Sequence, residues 1–182
     1  MSHKDIPSVC MVIDASIARA AGSLESTHPT GTRCRQFLQT VRGVCHRMAW
    51  NAAIKQEWDK HQSQFARTWL LSMFNLRKLR SVPDDPSEEF RDSIREHAPD
   101  AGVREAMLKD AHLAEAAMAG DSRVAALDET VRWHFGRLSP AFPTICQIVW
   151  VNPDREDERC IDWLKAGADP EPHRLLQPTP AS

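Results

Sequence analysis

A chain of 182 residues with 42% hydrophobic and 26% charged residues has the balance of a single globular domain, long enough to bury roughly two thirds of its unfolded surface, which excludes wholesale disorder. Its formal net charge of −2 names no partner. No run is apolar enough to span a bilayer, and the hydrophobic stretch of the N-terminal MSHKDIPSVCMVID is short and ends in an acid rather than a cleavage site, so a cytoplasmic protein without membrane attachment is expected.

In chain order, Ser8 to Asp14 is a short apolar run closed by an acid, the pattern of a buried parallel strand with Asp14 at its C-terminal end. Ala15 to Ala21 has helix-forming composition, Gly22 to Gly31 reads as a loop, and Thr32 to Val44 as a helix. A second short strand is placed within Arg47 to Ile54, although that segment has no decisive period. From Ala52 to Leu79, the residues Ile54, Trp58, His61, Phe65, Trp69, Met73 and Leu76 recur at steps of three and four. This stripe predicts one long core-facing helix, with Glu57 and His61 sharing a face at its edge. Pro83 to Pro86 breaks the pattern, and an acidic helix follows to about His97.

Gly102 to Gly120 predicts an alanine-rich helix whose small side chains permit close packing on a sheet, with Asp110 near its start. Arg123 to Asp128 repeats the first pattern, an apolar run ended by an acid, and Glu129 to Arg137 continues as a helix. Ile145 to Val151 predicts another strand and Asp157 to Lys165 a short helix. Residues 1–168 therefore form the domain, and the Pro-rich 169–182 segment is expected to be a disordered tail. Strands alternating with helices argue for an α/β fold around a mostly parallel sheet. Ligands of such sheets bind outside the carboxyl ends of the strands, where Asp14 and Asp128 are expected.

The five cysteines are an odd number with no Cys-x-x-Cys spacing, which argues for reduced thiols and against a zinc site. Charge is unevenly spread. Residues 31–80 hold ten Lys/Arg against two Asp/Glu, a net +8, while residues 84–129 hold five against thirteen, a net −8. A basic surface facing an anion beside an acidic site would have this polarity, and so would two solvated faces.

Several carboxylates converging on one spot would supply the oxygen ligands that Mg²⁺ and Mn²⁺ prefer, and such ions activate water for phosphodiester cleavage. Each acid also has a plainer role. Asp14, Asp110 and Asp128 precede helix-forming runs and could cap them, at about 1 kcal/mol each. Glu57 could be a solvated helix acid, His61 a packed histidine, and the six tryptophans core rather than base-stacking platforms.

The order Val12-Ile-Asp-Ala-Ser16, Ile54-Lys-Gln-Glu-Trp58, Lys109-Asp-Ala-His-Leu-Ala-Glu-Ala-Ala117 and Arg123-Val-Ala-Ala-Leu-Asp128 resembles the four-acid pattern of PIN-domain nucleases, over about residues 8 to 152. The resemblance implies a PIN-like three-layer α/β/α fold and a Mg²⁺- or Mn²⁺-dependent hydrolase, most often an endoribonuclease. It assigns catalysis and metal binding to Asp14, Glu57, Asp110 and Asp128, with Ser16 supporting the first acid. Asp121 competes for the fourth role, but it occupies a Gly-Asp-Ser turn where Asp is common. RNA would be the substrate, contacted by Arg67, Arg77, Lys78 and Arg80 of the basic stretch. An antitoxin or other protein partner and a homodimer are compatible with the resemblance. Two alternatives stand beside it: a non-catalytic PIN-fold module that binds RNA or protein, and a nuclease acting on DNA or on nucleic-acid structure.

Overall fold

The computed structural model describes residues 6–178. Strands β1 (Cys10–Ile13), β2 (Arg47–Trp50), β3 (Leu79–Ser81), β4 (Arg123–Ala125) and β5 (Val149–Val151) form one sheet in the order β3-β2-β1-β4-β5. Every pairing is parallel. Each strand is only three or four residues long, so burial on both faces stands in for length. All four residues of β1 and all three of β5 are buried. The chain is thus α/β with an all-parallel sheet, as expected, and its helices fall into two packed groups that fit a three-layer α/β/α arrangement.

The first group is α1 (Ala15–Ala20), α2 (Pro29–Gly43), α3 (Ala52–His61), α4 (Gln64–Asn75) and α8 (Cys160–Ala166), which contact one another. The second is α5 (Glu88–His97), α6 (Ala101–Met118) and α7 (Glu129–Leu138). Ala111, Ala114 and Ala117 of α6 are buried, so small side chains let this helix lie close against β1 and β4. The tryptophans serve mainly the core. Trp58 donates its indole N–H to the Ile13 carbonyl at 2.8 Å and stacks on Trp69 with ring centroids 5.8 Å apart; Trp69 donates to the Leu38 carbonyl. Burial pushes the thiols of Cys10, Cys34 and Cys160 up to about 11, 12 and 12, which keeps them protonated and inert.

Four boundaries differ from the sequence reading. The single long helix from Ala52 is two, because the Ser63 side chain accepts from the Ala66 N–H and caps a new helix while its own N–H donates to the Ala18 carbonyl. The expected helix also stops early: α4 ends at Asn75 with Leu76 as its C-cap, and Leu79 opens the edge strand β3. Ile145 lies in a 3-10 turn begun by Pro143, and only Val149–Val151 is strand. The expected disordered tail is packed through its described part: Pro172–Arg174 forms a 3-10 turn, Arg174 is 4% exposed and Leu176 2%. Leu175 bridges Val149 on the outer edge of β5, and Gly136 of α7 lets the tail in, since a Cβ there would stand 2.8 Å from the Gln177 carbonyl oxygen. Residues 179–182 lie outside the described residues.

Candidate active site at the carboxyl edge of the sheet

The strand order reverses between β1 and β4, and this switch point is where an open parallel sheet leaves a crevice beyond its strand ends. Asp14 follows β1 directly and Asp128 lies three residues beyond β4. The two ends are tied together. The Asp14 N–H donates to the Ala125 carbonyl at 2.9 Å, and the Ser16 hydroxyl accepts the Leu127 N–H at 3.3 Å. Ser16 thus joins the segments that follow β1 and β4.

Asp14 and Asp128 also do what the plainer reading asked of them. Asp14 Oδ2 accepts from the Ser16 N–H at 3.2 Å as the N-cap of α1. Asp128 Oδ1 accepts from the Val131 N–H at 2.9 Å as the N-cap of α7. Each carboxylate uses one oxygen for its cap and keeps another.

Asp110 does not open its helix. The N-cap of α6 is Asp100, ten residues earlier, which accepts from the Val103 N–H. Asp110 sits mid-helix and caps nothing. Burial, then the negative charge of Asp14 and the weaker one of Asp128, push its carboxyl up to about 6, against the opposing pull of His112 and Lys109. The three aspartates therefore share one electrostatic environment.

Glu57 stands at the flank. It accepts from Lys60 Nζ at 3.0 Å and lies 3.6 Å from His61 Nε2. Partial burial raises its carboxyl pKa, but the Lys60 hydrogen bond and the charges of Lys60, His112 and His61 outweigh that and leave it lowered. Its charge is not among those that shift Asp110. Among the described residues, no three Asp, Glu, His or Cys side chains are grouped closely enough to hold an ion as they stand.

Asp121 is at the other end of the sheet. Its Oδ2 accepts from the Cys10 N–H at 2.7 Å, at the start of β1, and its Oδ1 pairs with Arg80 at 3.1 Å. That geometry makes Asp121 a structural residue of the opposite edge, away from Asp14 and Asp128. Two of the expected substrate cations belong to that same opposite end: Arg80 through Asp121, and Lys78 by donating to the Arg42 and Val44 carbonyls. Arg67 and Arg77 are exposed. The cations near the acids are Lys60, His61, Lys109 and His112, which the reading of the basic stretch passed over. Their signal was adjacency, since Lys109-Asp110-x-His112 and Glu57-x-x-Lys60-His61 place them one to four residues from an acid.

Comparison of the chain with protein families, with curated proteins and with solved structures found no match in any of the three. Among the described residues no helix is long and apolar enough to cross a membrane. A cleft of about 570 Å³ beside α7, lined by Glu129, Arg132, Arg155 and His173 among others, includes none of the four acids. Its arginines are already neutralised by Glu129, Asp157 and Glu158.

Proposed function

We propose that the protein is a metal-dependent phosphodiester hydrolase of PIN-like fold, acting most readily on RNA. The observation that carries this reading is the position of Asp14 and Asp128 on adjacent strand ends at the switch point, with the mid-helix Asp110 close enough for its carboxyl to feel both charges. Like charges crowded without a compensating partner are what a bound cation relieves.

The donor set suits a hard divalent ion. Asp14 and Asp128 each keep a carboxylate oxygen beyond the one used in capping, and Asp110 has no other structural duty. Asp14, Asp110 and Asp128 would hold Mg²⁺ or Mn²⁺, with Glu57 at the flank. When bound, such an ion supplies an activated water and stabilises charge on the leaving oxygen. The chain's own groups do the rest. Lys60, Lys109, His61 and His112 hold the phosphate against the acidic crevice, Ser16 keeps the strand ends together, and Asp110 gives up its proton near pH 6 to become a ligand.

The second reading, a non-catalytic module of the same fold that binds RNA or protein, is favoured by a specific observation: the carboxylates of Asp14 and Asp128 are both engaged as helix caps. Cleavage of single-stranded RNA with Mn²⁺ or Mg²⁺ across pH 5 to 8 tests the two. The hydrolase reading expects metal affinity to strengthen as pH rises through about 6, where the metal-free Asp110 ionises, activity to be lost in Asp110→Asn, and metal to stabilise the native protein by about 2.7 kcal/mol at a hundred times its dissociation constant. A protein whose melting ignores both ions and which cuts neither RNA nor DNA is the binding module.

A further inference from the structure

The two edges of the sheet are treated differently. On one side the chain's own Leu175 and Leu176 close β5: Leu175 bridges Val149, and the Leu176 N–H donates to the Ile148 carbonyl. On the other side β3 ends the sheet with nothing beyond it among the described residues. The Met48 N–H donates to the Lys78 carbonyl and the Val82 N–H to the Trp50 carbonyl, so the even-numbered residues of this stretch face β2. The N–H and C=O groups of Leu79 and Ser81 therefore point outward.

Beside that edge lies an apolar surface. Leu71 is 61% exposed, Phe74 67% and Leu76 55%. A cleft of about 520 Å³ opens between Trp50, Phe74, Asn75, Arg77, Leu79 and Ser81. Arg67, Leu71 and Phe74 are spaced to share one face of α4. From Gln62 to Pro83 there is no Asp or Glu; Arg80 is paired with Asp121 and Lys78 donates to the Arg42 and Val44 carbonyls, which leaves the exposed Arg67 and Arg77 as the positive charge of this face.

We propose that β3 and the adjoining face of α4 are a docking site for an extended peptide segment of a partner protein, alternating apolar and acidic residues, that adds to the sheet as a further strand. Its backbone pairs with Leu79 and Ser81, one apolar side chain enters the cleft over Phe74, and its carboxylates meet Arg67 and Arg77. The chemistry favours this occupant over the two others. A nucleic-acid strand has no backbone complement for the outward N–H and C=O groups of a strand edge, whereas an extended peptide pairs with them directly. A second copy paired across this edge would bring the same face, whose stretch from Gln62 to Pro83 holds no acid to meet Arg67 and Arg77. The inference is independent of the acids at the switch point.

The test uses the full chain and a fluorescent octapeptide of alternating Val and Glu, beside the same peptide with Lys for Glu and a short single-stranded RNA. Binding of the Val/Glu peptide alone is expected, with slowed amide exchange at Leu79 and Ser81. Ser81→Pro removes only an outward N–H, and Phe74→Ser alters an exposed side chain; each should weaken binding about tenfold or more while the melting temperature holds. Arg77→Glu should abolish the preference for the acidic peptide. Equal binding of both peptides, no binding, or affinity unchanged in Ser81→Pro and Phe74→Ser overturns the proposal. RNA that displaces the peptide and loses affinity in Arg77→Glu but not in Ser81→Pro would make the face a nucleic-acid contact, and a dimer dissociated by Ser81→Pro would make it a self-interface.

Discussion

Asp128 and Glu129 are neighbours in the chain and belong to opposite kinds of charged region. Asp128 joins Asp14 and Asp110, where burial first and neighbouring negative charge second make one carboxyl hold its proton to about 6. Glu129 belongs to a network in which every charge is answered. Its Oε1 accepts from Asn152 Nδ2 at 3.0 Å and its carboxylate pairs with Arg132 and Arg155. At the centre Glu158, 6% exposed, accepts from the Asn152 N–H at 3.0 Å and pairs with Arg132 and Arg174. The network ties α7, the end of β5 and the tail into one body. Acids are gathered in both regions, but only in the second are they held in ion pairs; around Asp110, Lys109 and His112 oppose the crowding without pairing with it. Uncompensated charge is costly to a fold and useful to a site, whereas compensated charge is a joint.

Breaking the joint should have the largest effect. Glu158→Ala strips one carboxylate from the buried guanidinium of Arg174, which keeps Glu171, and from the mostly buried one of Arg132, which keeps Glu129, and it leaves the buried Asn152 N–H without its acceptor. Removing one side of a buried pair costs about 3–5 kcal/mol, or roughly 6–20 °C in melting temperature for a domain of this size. Urea and thermal melts check it. A loss under about 1 kcal/mol would mean the network is no more than a surface ion-pair cluster.

The acidic crevice should respond with the opposite sign. The folded pKa of Asp110 lies above its ordinary value of 3.8, so its contribution to stability is fully present below about 4 and is lost as pH rises through about 6. Asp110→Asn should therefore stabilise the metal-free protein by about 1–3 kcal/mol at pH 7 to 8 and change little at pH 4. Melts across that range would break the comparison if the variant were destabilised at neutral pH.

The smallest effects belong to the two caps. Asp14→Asn and Asp128→Asn should each stay within about 0.5 kcal/mol of the native protein, because Asn caps as well as Asp, whereas the Ala variants should lose about 1 kcal/mol. Denaturant midpoints resolve the difference. If Asn cost as much as Ala at either position, the charge itself would be structural there, and the contrast with Glu158 would close.

The strands β1 and β4 and the acids that follow them were legible because a short apolar run closed by an acid fits a buried strand reaching solvent, as in Val12-Ile-Asp14 and, three residues past its strand, Asp128. β3 was not. Its Leu-Arg-Ser has no alternation of its own, and an edge strand buries too little to impress a pattern, so Leu76 extended a helical stripe that in fact had ended at Asn75. Asp110 was found as a residue but misplaced in its helix, since the true cap, Asp100, stands before an exposed first turn with no apolar period to announce it.

Local sequence, then, determined the class of fold, the core strands β1 and β4, most helices and the two acids at their ends, because periodicity and capping act over a few residues. Tertiary structure decided which acids share a field, that Asp121 and Arg80 serve the far edge, and that the tail is held. The Arg174 guanidinium finds Glu158 sixteen residues away, and Arg80 finds Asp121 forty-one away. Charges interact through space rather than along the chain, so whether an acid is compensated or crowded is settled only when the sheet brings its strand ends together.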